Sequence, residues 1–186
     1  MIQWNNVASD IEFRDLSEMT SLLSPMDVIR LTSKLTNQPL IIIESVCKLK
    51  IYQHLASSYH ELGGLLLGKV HVNPINGSPN IILIKESIAS TVFQSTSVSL
   101  RMASDIWSSA RARIDDGLIV TGWYHSHPNL GVFFSETDRH NQKNNFCHSY
   151  SVGYVTDPYR NEEKWFIGQS AEEIPHDRTI VVRRKN

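Results

Sequence analysis

The residues of this chain best suited to chemistry stand in one short stretch, His125-Ser126-His127-Pro128, with Ser135 and Asp138 eight and eleven positions after His127. Two imidazoles and one carboxylate are enough to hold a metal through three protein ligands and leave a position open for water. Residues two apart on a strand share a face and lie roughly 6–7 Å apart along the backbone, so His125 and His127 can serve one ion. Nitrogen and oxygen donors without thiolate accept several divalent metals; in a hydrolytic setting two His and one Asp favour zinc over iron. Zinc held this way lowers the pKa of a bound water from about 9 toward 7. An anionic Asp ligand weakens that effect relative to three neutral imidazoles, so a carboxylate base is expected nearby.

Ser135-x-x-Asp138 has a second reading as a capping box, which starts a helix and needs no metal. The two are partly compatible, since a capped helix start would aim Asp138 at an ion. A lone histidine is ordinarily a core or surface residue, so His54, His60, His71, His140, His148 and His176 receive no role. His140 would point away along the helix, and His60 adjoins Glu61.

The spacing His-x-His-x10-Asp, with Ser135 three residues before the Asp inside Gly122–Asp138, resembles the JAMM motif of the MPN+ (JAB/MPN/Mov34) metalloproteases at every defining position. Glu61-Leu62-Gly63-Gly64-Leu65-Leu66-Leu67-Gly68 resembles that family's Glu-x-x-Gly-x-Leu-x-Gly signature, and the small Gly63 and Gly64 let backbone lie close to a site. The motif-level match runs from about Glu44 to Pro158 and includes Asp157-Pro158-Tyr159-Arg160, which looks like the family's Asp-Pro turn. The resemblance implies one Zn2+ per chain on His125, His127 and Asp138. It implies Glu61 as the base that takes a proton from the zinc water and passes it to the leaving amine, with Ser135 binding the oxyanion. Glu44 is the rival base, but its place before Ser45 suits a helix start.

The family cleaves the bond after the C-terminal Gly-Gly of ubiquitin or a ubiquitin-like protein, usually an isopeptide to lysine, so that tail is the expected partner. An extended tail ending in two glycines fits a narrow groove and can pair with an edge strand, for which residues 89–97 are the best match. Two alternatives stand: a JAMM peptidase that processes a ubiquitin-like or sulfur-carrier precursor, and a non-catalytic MPN scaffold, which normally lacks these ligands. The chain ends soon after its last expected strand, without the long C-terminal helices of proteasome-lid and signalosome relatives. That favours a stand-alone prokaryotic-type enzyme accompanied by activating and conjugating enzymes.

The elements that must position these groups fit one domain. At 186 residues and 41% hydrophobic content the chain has a core able to fold alone, read as a catalytic domain over 39–186 preceded by an extension over 1–38. A formal net charge of -1 gives no footprint for nucleic acid or an anionic membrane, and Arg183-Arg184-Lys185 reads as a solvated end. Two cysteines, Cys47 and Cys147, make no disulfide framework, and no leader or membrane-length apolar run is evident, so a reducing, cytoplasmic setting is expected.

Ser24-Pro25-Met26-Asp27 opens a predicted helix to about Leu35, and Leu40–Ile43 suits a buried strand. A helix follows from Glu44-Ser45, with Cys47, Ile51, Tyr52, Leu55, Ala56 and Tyr59 as its stripe. Strands over 65–72 and 81–88 flank a turn-rich segment and read as an antiparallel hairpin; residues 89–97 are polar and ambiguous. A helix over 98–114 carries Ala103, Ile106, Trp107, Ala110 and Ile114 inward and ends at Asp115-Asp116-Gly117. Residues 118–127 form the strand entering the site, with Trp123 and Tyr124 on opposite faces. The loop Asn129–Phe134 is apolar enough to line a cleft for a substrate tail. A helix from Ser135 and strands over 150–155, 164–168 and 179–183 complete an α/β fold, a mixed central sheet flanked by helices, in agreement with the cytidine-deaminase-like MPN (JAB) domain that the resemblance implies.

Overall fold

Short β-branched runs separated by amphipathic stretches make a sheet with helices on its faces. The computed structural model describes residues 39–72, 79–90, 93–96, 99–102, 104–114 and 116–183, together with Met26. Its strands are β1 (Leu40–Glu44), β2 (Gly63–Val72), β3 (Pro79–Ala89), β4 (Phe93–Thr96), β5 (Ser99–Met102), β6 (Ile119–Ser126), β7 (Val152–Asp157), β8 (Glu162–Ile167), β9 (Glu172–Ile174) and β10 (Thr179–Val182). The helices are α1 (Ser45–Leu55), α2 (Ser104–Ile114) and α3 (Glu136–Asn145). Eight strands form one sheet in the order β10-β1-β3-β2-β6-β7-β8-β9, while β4 and β5 pair as a separate hairpin. β1 runs parallel to β10 and β3, and β6 parallel to β7; the other pairs are antiparallel, so the sheet is mixed.

Each face of the sheet is buried by a different helix set. On one, Ile41, Ile43, Leu66, Ile82, Ile84, Tyr124 and Tyr154 pack with Cys47, Ile51 and Leu55, which recur at helical spacing along α1. On the other, Leu65, Leu67, Trp123, Val155 and Phe166 pack with Ile106 and Ala110 of α2 and with Phe134 and Phe146, which bracket α3. Full burial of each such Leu, Ile or Phe contributes roughly 1.5–3 kcal/mol.

β6 reaches the site with a kink. Leu66 pairs with Gly122 but Leu67 with Val120, so Thr121 is an extra residue and its hydroxyl donates to Leu66 O at 3.2 Å. This bulge resets the alternation, putting Leu118 and Val120 on the same face as Trp123. Gly122 permits the crowding, because a Cβ there would lie 1.8 Å from Val152 O on β7.

Most expected strands recur within two residues at each end, and the pair β2–β3 is antiparallel as the turn chemistry implied. The expected helix over 24–35, apart from Met26, and the turn over 73–78 lie outside the described residues. Three expectations change. The stripe of α1 is narrower, since the helix ends at Leu55; Tyr52 is exposed, and Tyr59 stacks on Tyr159 in the following loop. The helix over 98–114 begins only at Ser104, because Ser99–Met102 pairs with Phe93–Thr96 as a hairpin and Ile114 ends exposed. β9, three residues with two glutamates, was not expected at all.

Candidate metal centre

β6 lies in the sheet interior between β2 and β7, so its last residues emerge at a protected end. His125 is in the next-to-last residue pair of the parallel ladder, opposite Val155, and His127 just past the strand donates its N–H to Thr156 O at 3.0 Å. Both imidazoles are buried, and Trp123 stacks on the His125 ring at 4.6 Å and 8°. Phe133 tilts over the His127 ring at 4.8 Å.

Asp138 comes from the opposite direction, on the first turn of α3. Ser135 is the N-cap of that helix, and a full capping box forms: Asp138 N donates to Ser135 Oγ at 3.2 Å, while Ser135 N donates to Asp138 Oδ2 at 2.8 Å. Both readings of Ser-x-x-Asp therefore coexist in the geometry. The box fixes the helix start, and the same carboxylate faces the imidazoles, with His125 Nε2 at 3.3 Å from Oδ1 and His127 Nε2 at 3.5 Å from Oδ2. Burial alone would raise the Asp138 pKa; the His125 charge and hydrogen bonds from His125, His127 and Ser135 outweigh it and hold the carboxyl well below its usual range.

His125 Nε2 and His127 Nε2 are 3.1 Å apart, and each faces a different oxygen of the Asp138 carboxylate, at 3.3 Å from Oδ1 and 3.5 Å from Oδ2. A tetrahedral ion with bonds of about 2.0–2.2 Å has edges of roughly 3.3–3.6 Å. Three donors converging at that separation, buried to within 3% exposure, suit a small divalent cation. It is the one His/Asp/Glu/Cys cluster of ligating geometry among the described residues.

Glu61 stands on the loop before β2, partly exposed, with Oε1 3.9 Å from His127 Nε2. Its loop is tied down by a residue that the sequence reading left without a role. Ser126, between the two histidines and fully buried, accepts from Leu62 N through Oγ at 3.1 Å and donates from its own N to Leu62 O at 2.9 Å. A buried Ser between two candidate ligands, on a strand face opposite theirs, was the available signal. Tyr159 adds a second tie, donating to Ser58 O at 3.2 Å.

Ser135 Oγ donates to Asp138 Oδ2 at 2.6 Å, so its proton is engaged. The loop after His127 divides: Leu130 and Phe133 are exposed beside the centre, whereas Phe134 is core and stacks on Phe166 at 4.0 Å. Asp157 fixes this loop, accepting from Gly131 N at 3.0 Å and from Tyr159 N and Arg160 N at 3.1 and 3.2 Å. The histidines given no role stay apart from the cluster; His54 meets Tyr124 OH at 3.1 Å, and His60, His140 and His148 are exposed. Glu44 ends β1, separated from β6 by β3 and β2.

A buried His-His-Asp cluster at the end of a mixed, helix-flanked sheet defines a JAB-type domain, and the family model for prokaryotic homologs of the JAB domain matches residues 44–168. The chain belongs to that family. Among curated relatives, it is 28% identical over 130 residues to the ubiquitin carboxyl-terminal hydrolase RPN11 of Saccharomyces cerevisiae, covering 65% of this chain and 39% of that protein. It is 31% identical over 102 residues to the NAD(+) hydrolase TcpA of a Theionarchaea archaeon, covering 54% of this chain and 28% of that protein. The match thus spans well under half the length of either relative. In fold it is similar to the solution structure of protein DSY2949 from Desulfitobacterium hafniense, with a TM-score of 0.59 at 15% identity over 78% of this chain and 94% of that one. Among the described residues no helix is long and apolar enough to cross a membrane.

Proposed function

We propose that this protein is a zinc-dependent metallo-isopeptidase that hydrolyses the bond after the C-terminal Gly-Gly of ubiquitin or a ubiquitin-like protein. The observation that carries the reading is the convergence of His125, His127 and Asp138 with the Glu61 carboxylate 3.9 Å from His127 Nε2. Zinc bound to those three side chains would supply Lewis-acid polarisation and an acidified water. Glu61, on the loop that Ser126 ties to the end of β6, takes a proton from the attacking water and returns it to the leaving amine, a positioned acid/base role that contributes about 10²- to 10⁴-fold. Ser135 stabilises the oxyanion by turning its hydroxyl away from Asp138, which the Ser135 backbone N–H continues to hold at 2.8 Å.

The substrate side follows from the same residues. β4, within the segment 89–97, is paired with β5 alone among the described residues, which leaves an edge for the backbone of an extended tail. Leu130 and Phe133 offer apolar surface beside the centre. The likeness to a ubiquitin carboxyl-terminal hydrolase supports the reading, and the intact donor set weighs against a scaffold.

The test is to purify the chain, measure its zinc, and assay ubiquitin dimers, linear Gly-Gly fusions and NAD+ in parallel. About one zinc per chain, with isopeptide cleavage lost to a chelator and restored by zinc, is expected. Cleavage of linear fusions alone would move the assignment to precursor processing. Zinc-loaded protein that turns over no Gly-Gly-linked substrate would overturn the proposal in favour of a scaffold, and NAD+ cleavage would overturn it in favour of chemistry like that named for the archaeal relative.

A further inference from the structure

Behind the candidate ligands lies a buried polar side chain with no part in the chemistry above. Gln142 sits one helical turn after Asp138 on α3, at the same phase, and is fully buried. Its Oε1 accepts from the Trp123 indole Nε1 at 2.7 Å. Its Nε2 faces three carbonyls: Phe146 O at 3.2 Å, Ser151 O at 2.9 Å and Gly168 O at 3.2 Å. An indole N–H on one side and three carbonyls on the other leave a single sensible orientation for the amide. The Trp123 ring it holds is the one stacked on His125. Gly153 makes room for this arrangement, since a Cβ there would come within 3.1 Å of Gln142 Oε1 and 2.2 Å of Phe134 Cζ.

We infer that Gln142 is a positioning residue for the metal centre, acting on two ligands at once. Through Trp123 it fixes the plane of the His125 imidazole, and through Ser151 O and Gly168 O it locks α3 to the start of β7 and the end of β8, setting where Asp138 presents its carboxylate. A buried amide between two layers is costly unless every bond is made, so a satisfied one is a rigid joint. Partners behind metal ligands orient them, and losing one typically costs about 10- to 100-fold in metal affinity. The inference rests on the metal-centre reading of the proposed function.

The experiment compares zinc affinity by chelator competition in wild type, Gln142→Leu, Trp123→Phe and the double variant, with near-ultraviolet circular dichroism of the metal-free proteins. Each single variant should bind zinc about 10- to 100-fold more weakly, the double variant should be no worse than the weaker single one, and the indole band should change in Gln142→Leu. Ile106→Val, a core change on the same face of the sheet, should lower thermal stability while keeping wild-type zinc affinity. If Gln142→Leu does not fold, Trp123→Phe alone decides: it retains a stacking ring but not the N–H, and wild-type affinity in it overturns the inference. Wild-type affinity in folded Gln142→Leu, or independent effects in the double variant, also overturns it. A wild-type chain that takes no zinc would instead remove the metal centre itself, and this inference with it.

Discussion

Ser126→Ala separates the base from the ligands. The Ser126 side chain is fully buried, and its Oγ is the acceptor for Leu62 N at 3.1 Å, next to Glu61. The Ser126 N to Leu62 O bond at 2.9 Å is backbone and survives the substitution, so the loop is loosened rather than released. Losing one hydrogen bond whose donor is partly buried costs about 1 kcal/mol, between the net worth of an ordinary bond and that of a stranded donor. The effect on turnover is larger in proportion, because displacement of a catalytic group by about 1 Å can cost 100-fold. The expectation is a loss of about 1 kcal/mol in urea unfolding of the metal-free protein, a kcat reduced roughly 10- to 100-fold, and zinc affinity within about twofold of wild type. Steady-state kinetics on a Gly-Gly isopeptide substrate, with chelator competition on the same preparation, measures all three. A wild-type kcat would refute the reasoning, and so would zinc lost in proportion to activity, since Ser126 would then act through its histidine neighbours.

Glu61→Gln should retain zinc while losing at least about 100-fold in kcat, and Asp138→Asn should lose zinc; each is read by metal analysis beside activity, and full activity in Glu61→Gln or stoichiometric zinc in Asp138→Asn removes that residue from its role. Asp157 gives a pH signature. Burial would raise its pKa, but the N–H groups of Gly131, Asn129, Tyr159 and Arg160 more than offset that and lower it. A depressed carboxylate stabilises the fold above its unfolded value near 4 and loses that contribution as pH falls through the folded pKa. Thermal midpoints of wild type and Asp157→Asn should therefore diverge at pH 7 and converge toward pH 3, and a constant difference across that range would contradict the hydrogen-bond assignment. Gly122→Ala places a methyl against Val152 O and should destabilise by about 3 kcal/mol or more, visible in urea unfolding; a neutral substitution would show that the β6–β7 approach can relax.

Much of this was legible in the sequence because it obeys local rules. Leu40–Ile43 reads as a buried strand and is one, with no residue above 0% exposure. The capping pattern at Ser135 marks the start of α3 to the residue, since the box is satisfied within four positions of chain. The hairpin β4–β5 was not legible. A helical pattern from Val98 onward conceals that Ser99–Met102 pairs with the neighbouring Phe93–Thr96 and lies against α3, the latter contact made across a long stretch of sequence. β9 is a short edge strand whose Glu172 and Glu173 look like a solvated turn, the form edge strands take when they avoid further pairing. The Thr121 bulge was equally hidden. Simple alternation along 118–127 would divide Leu118 and Val120 from Trp123, and only the register against β2 shows them sharing a face.

α3 carries the physical reason why the rest of the site escaped. Its sequence, Glu136-Thr-Asp-Arg-His-Asn-Gln-Lys-Asn-Asn145, has no apolar residue, so hydrophobic periodicity assigns it no inward face. Yet Asp138, Asn141 and Gln142 are buried, on one stripe at i, i+3 and i+4. A helix that buries polar groups gives up transfer free energy and must recover it through hydrogen bonds, which Gln142 does with an indole and three carbonyls and Asp138 with its cap. Such a face has little value for stability alone, because an apolar helix would pack the same sheet at lower cost. It is explained when the stripe must deliver a carboxylate to two imidazoles and keep it there. The departure from ordinary patterning is therefore concentrated where the chemistry is, and it extends one turn further along the helix than the ligand motif itself reaches.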